Sequence, residues 1–185
     1  IYYESKTLAR LAALIREVRP SVLLVPSPQD YMEDHTNTGR LAVSAAFVRG
    51  MQNFKTVPSR KPIGDDVTLY HAMPAGLLDP LRRRVIPGVF VNVSSVMKTK
   101  LEALSAHKSQ QSWLDVSQKM NQYLQTMEHL SREVGRMSRR FRYAEGWRRH
   151  LHLGLCAEDA DPLRDALGKN FLINRAYERG LDLGV

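Results

Sequence analysis

The chain has 185 residues, 43% of them apolar and 25% charged, and a formal net charge of +8. That is the composition of a globular chain with enough length for a proper core, and no apolar run approaches the ~20 residues a membrane-spanning helix needs. One cysteine, Cys156, excludes an internal disulfide framework and fits a reducing setting, so a cytoplasmic location is expected.

The opening Ile1-Tyr2-Tyr3 runs almost at once into a helix over Glu4 to Val18. Its residues Leu8, Leu11, Leu14 and Ile15 have the spacing of one buried face. Ser21 to Val25 reads as a strand with no earlier partner in the sequence. Such an opening reads as the middle of a fold, and the expectation is a fragment or a processed chain. Pro28 to His35 follows as an acidic loop at the carboxyl end of that strand. In open α/β sheets this edge is where ligand sites collect.

Thr36 to Arg49 reads as a second helix, stopped by Gly50. Met51 to Asp66, with Pro58, Pro62 and Gly64, reads as an irregular surface loop. Strands are expected over Val67 to Ala72 and Val89 to Val93, where β-branched and aromatic residues gather. Ser94 or Ser95 is expected to cap a helix reaching about Ala106. A longer amphipathic helix over Ser112 to Met137 would bury Trp113, Val116, Met120, Tyr123, Leu124, Met127 and Val134. From Tyr143 the tail carries turn signals at Gly154 and Asp161-Pro162 and a short helix near Leu163 to Leu167. With no repeat and no clear linker, residues 1–185 read as one domain.

The positive charge is concentrated at Arg82, Arg83 and Arg84, and at Arg132, Arg136, Arg139, Arg140, Arg142, Arg148 and Arg149. Such clusters are either solvated faces or surfaces for nucleic acid, anionic lipid or phosphorylated substrates. No nucleic-acid motif accompanies them. A basic interaction module without catalysis, binding nucleic acid or another polyanion, is the alternative function.

Three histidine-bearing segments could carry chemistry. Asp34-His35 is either a surface turn or part of a metal or acid–base site. His107 with Ser109 and Gln110 either lines a polar pocket or joins two helices. His150 and His152 share a face if the segment is extended, a possible metal geometry that flanking arginines argue against. His71 reads as a satisfied core or edge residue, His129 as solvent-facing and Cys156 as a buried, inert thiol. A phosphate-cradling glycine loop, a GxSxG elbow and an HExxH pair are all absent from the sequence.

Taken together the segments are more specific. A helix ending Ile15-Arg16-Glu17-Val18-Arg19-Pro20, a strand Val22 to Val25, and Asp30-Tyr31-Met32-Glu33-Asp34-His35 come first. Lys100 to Gln110 with Ala106-His107-Lys108-Ser109-Gln110, and then Tyr143-Ala144-Glu145, come later. From Glu4 to about Arg149 the chain resembles the PIG-L/LmbE family of zinc-dependent N-deacetylases. The resemblance implies a Rossmann-like three-layer α/β sandwich whose carboxyl-terminal portion carries extra helices. For the intact protein it implies metal-dependent hydrolysis of an N-acetyl group on a small amino-sugar-type substrate, with homo-oligomers possible.

By the same resemblance, the last histidine of a His-Pro-Asp-His motif, a zinc ligand, falls on His35. The preceding aspartate falls on Asp34, which would support catalysis by orienting or polarising a neighbour. Asp30, His107, Ser109, Gln110 and Glu145 would lie in the substrate pocket or behind it. The motif's first histidine falls on Met32, whose thioether neither donates a hydrogen bond nor carries a proton. The family's Ala-His-Pro-Asp-Asp motif, source of the other zinc ligands and the general-base aspartate, does not occur in these residues. One of three protein zinc ligands is therefore expected here, and no deacetylase activity from this chain alone.

Overall fold

In the computed structural model, residues 1–108 and 121–183 are described. The elements are α1 (Ser5–Val18), β1 (Val22–Val25), α2 (Glu33–Phe47), β2 (Thr68–Ala72), β3 (Val89–Asn92), α3 (Met97–Ser105), α4 (Asn121–Ser138), β4 (Ala144–Arg149), α5 (Pro162–Leu167), β5 (Phe171–Ile173) and α6 (Arg175–Leu183). The strands form a mixed sheet in the order β1-β2-β4-β3-β5, which bears out the α/β class. Contacts divide the chain into two compact units, Ile1–Pro87 with Trp147–Gly168, and Gly88–Gly146 with Lys169–Val185.

In the first unit β1 runs parallel to β2, with Val22 opposite Thr68 and Val25 opposite His71. The end of β4 runs antiparallel to β2, with His71 opposite Arg148. Helices α1 and α2 cover this part of the sheet over a core of Ala12, Ile15, Val25, Ala42, Ala45, Ala46, Val67, Leu69 and Leu155. Four of these nine are alanines, which lets the helix backbones approach closely. Leu14, expected on the buried face of α1, is instead 54% exposed. The inner stripe is Leu8, Ala12 and Ile15 with Ala9 and Ala13, and Leu14 lies to its side. Helix α1 stops because Arg19 takes a left-handed conformation (φ 53°) with its N–H on the Ile15 carbonyl, and Pro20 follows.

Among the described residues, the side chains of two buried arginines in this unit hydrogen-bond to backbone carbonyls and to no carboxylate. Arg16, 5% exposed, donates to the carbonyls of Val48, Arg49, Met51 and Arg60. Arg49, 7% exposed, donates to those of Ala46, Asp65, Gly154 and Leu155. Each satisfies backbone acceptors that the turns after α2 would otherwise bury unpaired. Gly154 (φ 74°) crosses the Phe47 ring so closely that a Cβ there would sit 2.6 Å from it.

In the second unit β3 and β5 pair antiparallel, from Val89 opposite Ile173 to Val91 opposite Phe171. Helix α4 meets the chain after it at Gly135, where a Cβ would lie 2.5 Å from the Arg142 carbonyl oxygen. Val134 is buried as expected, Leu124 and Met127 are partly buried, and Tyr123 is 42% exposed. Trp113, Val116 and Met120 lie outside the described residues.

Several boundaries differ from the sequence expectation. Helix α2 begins at Glu33, not Thr36, because the Asp30 carboxylate accepts the Met32 N–H and turns the chain into the helix. Glu33 and Asp34 then stand in its first turn, where the helix dipole favours negative charge. Ser94 does not cap the next helix; its hydroxyl accepts the Tyr143 N–H and donates to the Tyr143 carbonyl. The tail contains two strands, β4 and β5, and a helix, α6, that the sequence reading left out.

Candidate functional site at the carboxyl end of β1

The chain leaves β1 at Pro26 and reaches α2 through Ser27 to Met32, and three other elements hold this turn. From β2, the His71 Nδ1 lies 3.0 Å from the Pro26 carbonyl oxygen. From β4, Arg148 donates to the Ser27 hydroxyl and to the Gln29 side-chain oxygen. From α2, Gly39 packs so near the Pro26 carbonyl that a Cβ would come within 3.1 Å. Ser27 is 1% exposed and its hydroxyl also accepts the Gln29 N–H.

This turn presents Asp30 and His35 to each other. The His35 Nδ1 lies 3.2 Å from Asp30 Oδ1, and the carboxylate side chain is 7% exposed while the imidazole is 47% exposed. A carboxylate cannot donate, so the ring carries a proton on Nδ1, and in the neutral ring the lone pair is then on Nε2. That is the arrangement in which a carboxylate orients a metal-binding imidazole. Beside it, Asp34 Oδ1 is buried with no hydrogen-bond partner among the described residues. A buried carboxylate oxygen without a donor is expensive, and it calls for a proton donor or cation. Both features fit a metal at His35. Among the described residues no three His, Cys, Asp or Glu side chains group closely enough to hold an ion.

Asp34 and His35 thus lie in the first turn of a helix, not on a loop. Of the expected residues Asp30 and His35 come together, with Asp34 next to His35 in the chain; the other expected site residues belong to the second unit. There His107 is exposed just after α3. Glu145 forms an ion pair with Lys100 at 2.6 Å, which also lies 3.3 Å from the Ser131 hydroxyl. Ser109 and Gln110 lie outside the described residues. Met32, where the resemblance expects a histidine, is 39% exposed immediately before α2.

Sequence reasoning missed a histidine pair. The His71 Nε2 lies 2.9 Å from the His150 Nδ1, with ring centroids 5.1 Å apart. Because the Pro26 carbonyl only accepts, His71 carries a proton on Nδ1, and His150 donates to its Nε2 when both rings are neutral. Burial pushes His71 below the ordinary histidine value; the Pro26 hydrogen bond opposes this, and the charges of His150 and Arg148 add to it. Burial also lowers His150. The only available hint was the place of His71 at a strand end. The extended segment that a His150–His152 metal geometry would need is not there, since the backbone turns and the His152 carbonyl accepts the N–H of Leu155 and of Cys156. His71 is a satisfied residue, as expected, and His129 is exposed. Cys156 is half-buried against the core, not fully buried.

The arginine-rich segment is largely engaged locally. Arg132 pairs with Glu128 at 2.8 Å and donates to the Tyr143 hydroxyl. Arg149 donates to the Ala160 carbonyl, and Arg142 lies over the Tyr143 ring. No described helix is long and apolar enough to cross a membrane.

The sheet order and the helices around this strand end place the chain in the α/β class, and solved structures share that fold. A Thermus thermophilus structure, the conserved protein TT1542, superposes with a TM-score of 0.64 at 23% identity, covering 86% of this chain and 64% of that one. The N,N'-diacetylchitobiose deacetylase of Pyrococcus horikoshii gives 0.60 at 20% identity, over 88% of this chain and 57% of that one. GalB, the 4-carboxy-2-hydroxymuconate hydratase of Pseudomonas putida, gives 0.59 at 24%, over 80% and 59%. In sequence the chain is 30% identical over 149 residues to the diacetylchitobiose deacetylase of Thermococcus kodakarensis. That alignment covers 79% of this chain and 51% of the relative, so the chain spans about half the length of the curated relative it matches. No protein-family model matches. The similarity to a diacetylchitobiose deacetylase agrees with the resemblance to the PIG-L/LmbE deacetylases that the motifs carry.

Proposed function

We propose that this chain carries the imidazole half of the metal site of an N-deacetylase acting on an amino-sugar amide. The observation that carries the reading is the Asp30–His35 pair at 3.2 Å, seated where β1 meets α2. The 30% identity to a diacetylchitobiose deacetylase supports the substrate class. In this reading His35 holds zinc through Nε2, and the remaining ligands come from a segment resembling the family's Ala-His-Pro-Asp-Asp motif. When bound, zinc would polarise the acetyl carbonyl and lower the pKa of a coordinated water.

The chain's own residues have narrower tasks. Asp30 keeps the His35 proton on Nδ1 and fixes the direction of its lone pair. Asp34 offers a buried Oδ1, unpaired among the described residues, to a donor at the site. Met32 supplies no proton, so oxyanion stabilisation falls to another group. The proposal is tested in the full-length protein by measuring acetate release from diacetylchitobiose and bound zinc. His35→Ala should lose both. Wild-type zinc content and turnover in that variant would refute the assignment.

A further inference from the structure

The first unit has a concave site that no part of the deacetylase reading uses. The loop after α2 folds against the end of α1 to form a cavity of about 370 Å³ lined by Arg16, Lys55, Thr56, Ser59, Arg60 and Lys61 among others. Four of these are cations. Arg60 is paired with Glu17 at 2.8 Å, but among the described residues neither Lys55 nor Lys61 forms an ion pair. Arg16 is 5% exposed and among the described residues meets only backbone carbonyls and no carboxylate.

The cavity is therefore electropositive and walled partly by low-dielectric protein, a shape that concentrates anions. Its neutral groups suit an oxyanion as well. Thr56 accepts the Arg60 N–H and keeps its hydroxyl hydrogen for a further acceptor. No side-chain hydrogen bond engages the Ser59 hydroxyl among the described residues. Phe54 lines the same cavity while packing against the core, which gives one apolar wall. The volume exceeds what an inorganic ion fills and lies in the range of small-molecule sites.

We propose that this cavity binds a small organic phosphomonoester, with Lys55 and Lys61 meeting the phosphate and the wall at Phe54 meeting the carbon skeleton. The charge of Arg16 adds to the field while its N–H groups stay on the backbone carbonyls. The site is independent of the metal-dependent reading and stands or falls separately from it.

Amide shifts of the ¹⁵N-labelled chain, titrated with a hexose 6-phosphate, with inorganic phosphate and with the unphosphorylated hexose, test the assignment. The expected result is saturable perturbation confined to Gln52 to Lys61, strongest with the hexose phosphate and absent with the neutral sugar. Lys55→Gln/Lys61→Gln should weaken it about tenfold or more, and Arg82→Gln/Arg83→Gln should leave it unchanged. Both variants keep every hydrogen bond described for the loop, so circular dichroism should match the parent. Three results would overturn the proposal: perturbation spread over all basic clusters, retention in the lysine variant, or equal affinity for inorganic phosphate.

Discussion

The His71 Nε2 and the His150 Nδ1 meet at 2.9 Å across 79 residues of sequence, and the Pro26 carbonyl decides how their protons are arranged. With both rings neutral, the chain of hydrogen bonds runs from His150 to His71 to Pro26. One added proton can be shared along it. Two would set N–H against N–H between the rings and break it.

Stability should therefore fall on mild acidification. Burial lowers both histidines from an ordinary value of 6.5, so near and below that pH the unfolded chain binds more protons than the folded one. The contribution is full above about pH 6.5 and is lost as pH falls through it toward the lowered folded values. Urea midpoints measured from pH 8 to pH 5 should decline in the parent and decline less in His150→Gln. An equal slope in both would show that the pair is not the source.

Asp30 should matter through His35. In the full-length protein, Asp30→Ala removes the acceptor on Nδ1 and frees the ring to rotate and change tautomer. Zinc affinity should fall about 10- to 100-fold, the usual cost of losing such a supporting carboxylate. Competition with a chelating dye gives the number. Unchanged affinity would separate Asp30 from metal binding.

Tyr70 and Asp161 should prove strongly coupled. Tyr70 is fully buried, and its hydroxyl donates to Asp161 Oδ1 at 2.6 Å. Burial is the main reason its phenol is pushed well above the ordinary value. The same carboxylate oxygen accepts the Arg164 N–H at the start of α5. Tyr70→Phe leaves a 7% exposed carboxylate short of a donor and should cost about 1–3 kcal/mol in urea unfolding. In a double-mutant cycle with Asp161→Asn, the two losses should be less than additive.

Gly135→Ala is a packing test in the second unit. A methyl group there would lie 2.5 Å from the Arg142 carbonyl oxygen and 2.8 Å from that of Phe141. Backbone must move, so the cost should be about 1–3 kcal/mol by thermal or urea unfolding, although alanine is the better helix former. A neutral effect would mean that the turn after α4 yields freely.

Much of the framework was legible because it depends on local periodicity and turn chemistry. The end of α1, β1, β2 and β3 follow from apolar spacing, Pro20 and β-branched runs. Strand β4 was not legible, because Ala144-Glu145-Gly146-Trp147-Arg148-Arg149 alternates poorly and carries three charges. It is a strand because its neighbours supply the ladder: His71 opposite Arg148 and Ala72 opposite Trp147. Strand β5 has only three residues, too few for a period to show. Leu14 failed for a related reason, since spacing marks a stripe but not which edge of it a neighbour covers.

What the sequence determined by itself was a set of chemical possibilities along the chain: Asp30, Asp34 and His35 beside a strand end, and a methionine where the related motif has histidine. Those are short-range facts, spelled within six residues. The tertiary structure decided which possibilities become pairs. It turned Asp30 toward His35 through the start of α2 and left Asp34 Oδ1 buried without a donor among the described residues. It also brought His150 onto His71 and set Arg16, which meets no carboxylate among the described residues, in one cavity with two lysines. Pairing across the sheet and burial are long-range properties, and no window of sequence contains the distance between two strands.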